Sequence, residues 1–504
     1  MKQKVNTQVL IKNFGAILVL LLSFWAVKPL FAPGFFPMHD DTQVARVFEM
    51  GKALKDGMFP VRWVEDLGYG YGYPIFNFYA PLAYYFGGLL TLFGFDALVA
   101  TKTMFVLGIL LSGIFMYFLA RKFWGEIGGI VSGLFYVYAP YHAVDIYVRG
   151  DVAEVWAYGF IPLVFYGLYK IYNDYKLRWK WVAVSSFGYA AIILSHNLTA
   201  MMATPIVAIA ALLYCYIAYK KKNLSSIFYI LYSMFLGLML SAFYWIPALV
   251  EMKYTNVLSQ IGAGADFRDH FVCLSQLWES SWGFGGSIPG CIDGLSFKIG
   301  KLHLIMVFLS FLTLVVLKRF WAVVLSIVGF IVSVFLTLEI SKPIWEAIPL
   351  IAFFQYPWRF LILASFFSSL LAGFVVWFLS ASTFTSKESR LRLPRYLRGV
   401  SLGSLKYAGF VVVIFLLINF NFKLFQPQTI LSKTSRDYTN EKALKWTASK
   451  ISDEFLPPDF KKPKSEYEVA KKPLPFKETS IEKTSNLVSL IGALALIIGI
   501  ILFS

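Results

Sequence analysis

The chain has 504 residues, of which 58 % are hydrophobic, 18 % aromatic and only 15 % charged. No soluble domain of ordinary size is so apolar, so the composition specifies a polytopic membrane protein of the all-α class. The formal charge of +17 does not mark a nucleic-acid partner, because Lys and Arg fall in short breaks between apolar runs rather than on one basic face, which is the pattern of membrane topology.

Residues 14–27 have the character of a signal h-region. No small-residue cleavage site follows before Asp40, so the segment reads as an uncleaved anchor with Lys2, Lys4 and Lys12 inside. Where it ends, Pro37-Met38-His39-Asp40-Asp41 sets two carboxylates and an imidazole at the bilayer surface. The next run, 42–55, carries Val44, Val47, Phe48 and Leu54 on one side and Gln43, Arg46, Glu49, Lys52 and Lys55 elsewhere, the pattern of an interfacial helix. Capping that helix is one role open to Asp40 or Asp41, but a cap needs only one carboxylate.

Apolar segments of roughly 20 residues predict spans over 12–31, 97–120, 126–141, 152–172, 180–196, 198–219, 226–249, 302–317, 320–340, 358–380, 404–422 and 487–503. One further apolar stretch, 74–95, decides the topology. Were it to cross, Arg121-Lys122, the cluster Lys176, Arg178 and Lys180, Lys220 to Lys222, Lys318-Arg319 and Lys387 to Arg398 would all lie outside, against the positive-inside bias. Pro74 and Pro81 interrupt its helical pattern, Asn77 sits inside it, and Tyr69, Tyr71, Tyr73, Tyr79, Tyr84 and Tyr85 suit the headgroup level. It is therefore expected to lie in the outer face, leaving about 12 spans with both termini inside. The expected divisions are a membrane core over 1–422 with a first outer loop at 32–96, a Lys- and Pro-rich extracytoplasmic segment over 423–486, and a C-terminal span over 487–504. Lys387 to Arg398 reads as a cytoplasmic anchor near anionic lipid.

This topology gathers on one face His39-Asp40-Asp41, Tyr141 to Glu154, Ser195-His196-Asn197, the loop 251–300, Gln355 to Arg359 and 423–486. Asp151 and Glu154, three residues apart, fall on one side of a helix start, and Arg149 can reach either carboxylate or an external anion; an ion pair tying two helix ends together is the structural alternative. Arg359 again stands at the outer mouth of a span, after Gln355-Tyr356-Pro357-Trp358, where Pro and Trp are ordinary interfacial anchors. Cys273 and Cys291 share an outer loop where an oxidising exterior would let them bridge, while Cys215 reads as a core residue. His39, His142, His196, His270 and His303 lack the spacing of the usual zinc sites, and there is no P-loop, dinucleotide fingerprint or internal repeat.

Carboxylates beside a span exit, arginines suited to a phosphate and aromatics able to stack on a sugar ring fit a lipid-linked phosphosugar. Transfer of its sugar needs a base for the acceptor hydroxyl and cations for the departing phosphate; because phosphate leaves readily, a second carboxyl acting as acid is dispensable. A transporter or flippase of lipid-linked saccharides would want similar residues, although transporters commonly show repeats and broken helices at mid-membrane. A non-catalytic membrane assembly protein is a third reading.

The order of an acidic pair after the first span, an amphipathic helix, an aromatic Pro-rich interfacial segment and an Arg-x-Asp at the outer end of a later span resembles the module of GT-C-type membrane glycosyltransferases. Within that class His39-Asp40-Asp41, Gly72 to Leu82, Tyr147 to Asp151, Ser195 to Asn197 and Phe354 to Phe360 are similar to a bacterial family of 6-pyruvoyl-tetrahydropterin-synthase-related membrane proteins, over roughly residues 10–460. The histidine cluster of a pterin synthase is absent. The resemblance implies an inverting transferase that uses a polyprenyl-phosphate sugar at the outer face of the cell membrane, with a glycan, lipid or protein acceptor and no nucleic acid. Asp40 falls at the base position, with Asp41 the alternative. Asp41 and Asp151 would shape the acceptor site, or Asp40 and Asp151 would hold Mg or Mn if a divalent cation is used. Arg149 and Arg359 would hold the phosphate, with His39, Arg46, Glu154, His196 and Gln355 completing the substrate site. The acidic pair is His-Asp-Asp rather than Asp-Glu, and no match to the long soluble domain of oligosaccharyltransferases is present.

Overall fold

The computed structural model describes residues 13–174, 176–260, 262, 265–316, 321–382 and 402–503. Lys2, Lys4, Lys12, Lys318-Arg319 and Lys387 to Arg398 lie outside the described residues. Among the described residues the fold is helical, with only isolated bridges and no strands. The principal helices are α1 (Phe14–Leu22), α2 (Gln43–Lys55), α3 (Leu82–Leu92), α4 (Ala97–Val137), α5 (Val152–Asn173), α6 (Arg178–Ser195), α7 (Asn197–Lys220), α8 (Leu224–Leu240), α9 (Ala242–Glu251), α10 (Lys301–Val316), α11 (Trp321–Thr337), α12 (Leu361–Ser382), α13 (Leu402–Asn421) and α14 (Ser480–Phe503).

The two spans predicted over 97–120 and 126–141 are the arms of α4, which turns at Gly125 (φ 66°). A Cβ on Gly133 would stand 2.8 Å from the Gly113 carbonyl. Residues 20 apart in a straight helix are about 30 Å apart, so the arms fold back on each other, and glycine at both positions allows the close approach. The stretch 74–95 forms a short turn of helix at Ile75–Phe78 and then α3, whose 11 residues reach only about 16 Å, half a bilayer core. It packs beside α2, with Gly87 against Val47 and Gly51 against Thr91. Much of the polar side of α2 is not solvated: Gln43, Arg46 and Glu49 are buried, while Lys52 is half-buried and Lys55 exposed.

All twelve predicted spans fall on helices, but that number is not reached on length and apolarity. By that measure six described segments can cross, counting 97–149 once, or seven if α8 and α9 form one span. The helix predicted over 226–249 breaks there by 63°. Ser241 Oγ donates back to the Gly237 and Leu238 carbonyls at 2.9 and 3.2 Å, a competition for the helix ladder that bends helices. Cys273 and Cys291 are disulfide-bonded, and Cys215 is free.

The segment 423–486 lies across the first loop. Phe35 and Leu431 exchange backbone hydrogen bonds, Ala470 N–H donates to the Tyr69 carbonyl at 2.9 Å, and Leu474 N–H donates to that of Tyr71 at 2.8 Å. At Gly70 (φ 78°) a Cβ would stand 2.6 Å from the Ala470 carbonyl, so only glycine admits this contact. From α14, Asn486 accepts a bond from Arg62 at 2.7 Å, and Arg62 in turn donates to Asn77, which reaches Glu251.

Candidate active site

Two loops build the polar centre by pairing. His39 N–H donates to the Val148 carbonyl at 3.2 Å, Asp40 N–H to that of Arg149 at 3.0 Å, and Gln43 Nε2 to that of Gly150 at 2.8 Å. Gly150 is left-handed (φ 66°), and a Cβ there would collide with the Met38 side chain. These contacts fix Asp40 beside residues 149–151, at the same end of the helices as His196, Gln355 and Arg359. Neither aspartate caps α2: Thr42 holds the N-cap position and no side chain accepts from the first turn.

A cavity of about 1470 Å³ opens from this centre. Its polar end is lined by Asp40, Arg46, Asp151, His196, Gln355, Arg359, Asp453 and Glu454. Below them the walls are apolar, formed by α7, α11 and α12 with the inner part of α4. His39 and Asp41 do not line it. His39 is exposed, with its ring 4.9 Å from that of Phe284, and Asp41 is half-buried in the field of Lys433.

Arg149 sits differently from the expectation. It donates to Asp151 at 2.9 Å and to Glu154 at 2.7 Å, pairs with Asp145, and lies 4.9 Å from the centre of the Trp358 ring. All four charged groups are buried, so Arg149 is committed to three carboxylates and is not among the cavity-lining residues; Glu154 is likewise behind the wall. The arginines that do line the cavity are Arg46 and Arg359. Arg46 donates to Ser452 Oγ at 3.2 Å and stacks over Tyr79, while its Nε and Nη1 have no hydrogen-bond partner. Arg359 donates to the Phe354 carbonyl and to Gln355, and its Nε has no partner. Gln355 is itself held at φ 63°, a backbone strain concentrated at functional sites.

Burial, and then the negative charge of Asp151, push Asp40 up to about 6 against the pull of Arg149, Arg46 and Arg359. Burial opposes the ionisation of Asp151 too, yet His196, Arg149 and the Glu154 N–H outweigh it and hold that group low, at about 2. Two neighbouring carboxylates driven apart in this way mark one as a proton acceptor near neutral pH and the other as a fixed charge.

Asp151, Glu154 and His196 place ligand atoms within 4.8 Å of one another, the one such group among the described residues. Every carboxylate oxygen in it already takes a donor: Glu154 N–H and Arg149 on Asp151, Tyr141 and Arg149 on Glu154. His196 caps α7, its Nδ1 against Thr199. Arg149 already neutralises both carboxylates of the set, so a divalent cation held there would compete with it.

Sequence reasoning missed Asp145 and the 452–454 turn. Asp145 carried a usable signal, a carboxylate four residues before Arg149 inside an apolar stretch. Ser452, Asp453 and Glu454 carried none, since 423–486 has no periodicity to place them.

The helices and this one-ended polar cavity define a polytopic membrane protein of GT-C glycosyltransferase fold. The fold matches the apo oligosaccharyltransferase of Archaeoglobus fulgidus with a TM-score of 0.52 at 11 % identity, over 95 % of this chain and 64 % of that one. Weaker likenesses are to ArnT from Cupriavidus metallidurans bound to undecaprenyl phosphate (TM-score 0.44, 14 % identity, 89 % and 77 % covered) and to the mycobacterial arabinofuranosyltransferase AftD (0.47, 13 %, 83 % and 27 %). The chain belongs to the family of membrane proteins described as 6-pyruvoyl-tetrahydropterin synthase related, whose model matches residues 76–425. An uncharacterized protein of Lactococcus lactis subsp. cremoris is 26 % identical over 247 residues, which is 47 % of this chain and 39 % of that protein. The chain thus matches well under half the length of this relative.

Proposed function

We propose that the protein is a glycosyltransferase that moves a sugar from a polyprenyl-phosphate carrier to an acceptor hydroxyl at the extracytoplasmic end of the membrane. Asp40 takes the proton of the acceptor hydroxyl, and the acceptor oxygen attacks the anomeric carbon from the face opposite the phosphate. The bond from that carbon to the phosphate oxygen breaks, its electron pair leaves with the polyprenyl phosphate, and the configuration inverts. Arg46 and Arg359, rather than Arg149, receive the phosphate, because they line the cavity and are not bound to carboxylates, whereas Arg149 is held by three. Asp151 keeps Asp40 basic by charge repulsion, and Gln355 positions Arg359. The segment 423–486 supplies the acceptor-side wall through Ser452 to Glu454. The acceptor class remains a glycan, a lipid or a protein.

The observation that carries this reading is one cavity in which a carboxylate of raised proton affinity and two guanidinium groups without a carboxylate partner stand over a long apolar wall. It also weighs against a flippase, because the charged side chains lining the cavity lie at one end and a phosphosugar head would meet only apolar walls below it. The reaction is written without a metal. Substituting Asp40→Asn should reduce turnover by about 10²–10⁴-fold, the span of general base catalysis, with no loss of thermal stability. Wild-type turnover in that variant would remove Asp40 from the chemistry.

A further inference from the structure

We infer that the donor site discriminates carriers by the length of a single lipid chain, because the apolar part of the cavity runs through the full depth of the membrane. This rests on the proposed lipid-phosphate donor and adds a measure of which lipids qualify.

The cavity is lined along α7 from Asn197 to Ile217 and along α11 from Leu336 back to Trp321. Twenty residues of helix span about 30 Å, the thickness of a whole hydrocarbon core. Its floor is made by Phe123, Trp124, Ile217 and Trp321, at the opposite end of the helices from Asp40. Gly329 faces the Phe367 ring so closely that a Cβ would stand 2.4 Å from it, so α11 and α12 meet behind the groove at mid-depth. Between the polar end and the floor the lining residues include Ile206, Ile209, Leu213, Leu325 and Val328, and no charged side chain.

A membrane phospholipid carries two chains per phosphate, each confined to one leaflet of roughly 15 Å. One groove of twice that depth below one pair of cavity-lining guanidinium groups is matched instead by one chain that crosses the midplane. The occupant assigned here is a single-chain lipid phosphate longer than a leaflet. Lipid tails are as apolar as the groove, so a longer tail gains packing contacts rather than hydrophobic free energy, and the preference is modest, on the order of tenfold.

The test uses the full chain in lipid nanodiscs and measures binding of three sugar-free probes: geranyl phosphate, farnesyl phosphate and undecaprenyl phosphate. Affinity should rise along the series by about tenfold, and dioleoyl phosphatidic acid should not compete. Ala210→Trp, at half depth on the cavity wall, should erase the difference between farnesyl and undecaprenyl phosphate. Ala322→Trp, at the floor, should trim it by less. Equal affinity for all three probes in the wild-type chain would overturn the length inference while leaving a phosphate site intact. Binding of none of them would overturn both the inference and the donor reading.

Discussion

The proposed role of Asp40 rests on two bonds it does not make: it caps no helix, and it pairs with none of the three nearby arginines at hydrogen-bonding distance, although their charge reaches it. Its proton affinity is raised because burial and the Asp151 charge both disfavour the carboxylate. A base must be ionised to act, so turnover should climb with pH through about 6 and level off above it. The check is the slope of log kcat/KM against pH; a flat profile between about pH 5 and 8 would show that another group takes the proton. Arg149 supports a different expectation. Replacing it by Met would strand Asp145, Asp151 and Glu154 as buried carboxylates, and breaking a buried charge cluster costs about 3–5 kcal/mol. A thermal melt of Arg149→Met should therefore collapse, whereas a stable variant with weakened donor binding would return Arg149 to the phosphate. The residue types in this loop pair, and their common side, were legible in the sequence. Which arginine was already spent was not, because that depends on three carboxylates converging on one guanidinium.

At the scale of elements, the interruptions were better marked than the continuities. Pro74, Pro81 and Asn77 announced that 74–95 is not a span, and the structure shortens it to the 11 residues of α3. Gly125 allowed two arms where a continuous apolar run could also have been one helix. The break between α8 and α9 had no such signal: Pro247 lies beyond it, inside α9, and the bend comes from the back-bonding hydroxyl of Ser241, which is indistinguishable in sequence from any other serine in an apolar helix. The amphipathic pattern of α2 was read correctly as a helix with two unlike faces. Periodicity reports polarity rather than exposure, and so could not say that Gln43, Arg46 and Glu49 would be buried, Arg46 against a serine 406 residues away.

For the whole molecule, the end that carries the cavity mouth also carries the disulfide, and the basic clusters Arg121-Lys122 and Lys220 to Lys222 lie at the other ends of their helices. If the polar end faces outward, Cys273 and Cys291, once reduced, should react with a membrane-impermeant maleimide added to intact cells. Cys215, half-buried on α7, serves as the unreactive control. Labelling that requires permeabilised cells would invert the orientation and move the reaction to the cytoplasm.

Arg46 meets Ser452 406 residues further along the chain, and Arg62 meets Asn486 across 424. During synthesis the membrane helices through α13 are made before either partner exists. A half-made protein would hold Asp40 in an unwalled pit, with Arg46 lacking its neighbour from the 452–454 turn. Completion of the cavity wall then waits for the 452–454 turn, which makes a late-made stretch of the polypeptide a checkpoint on an early one.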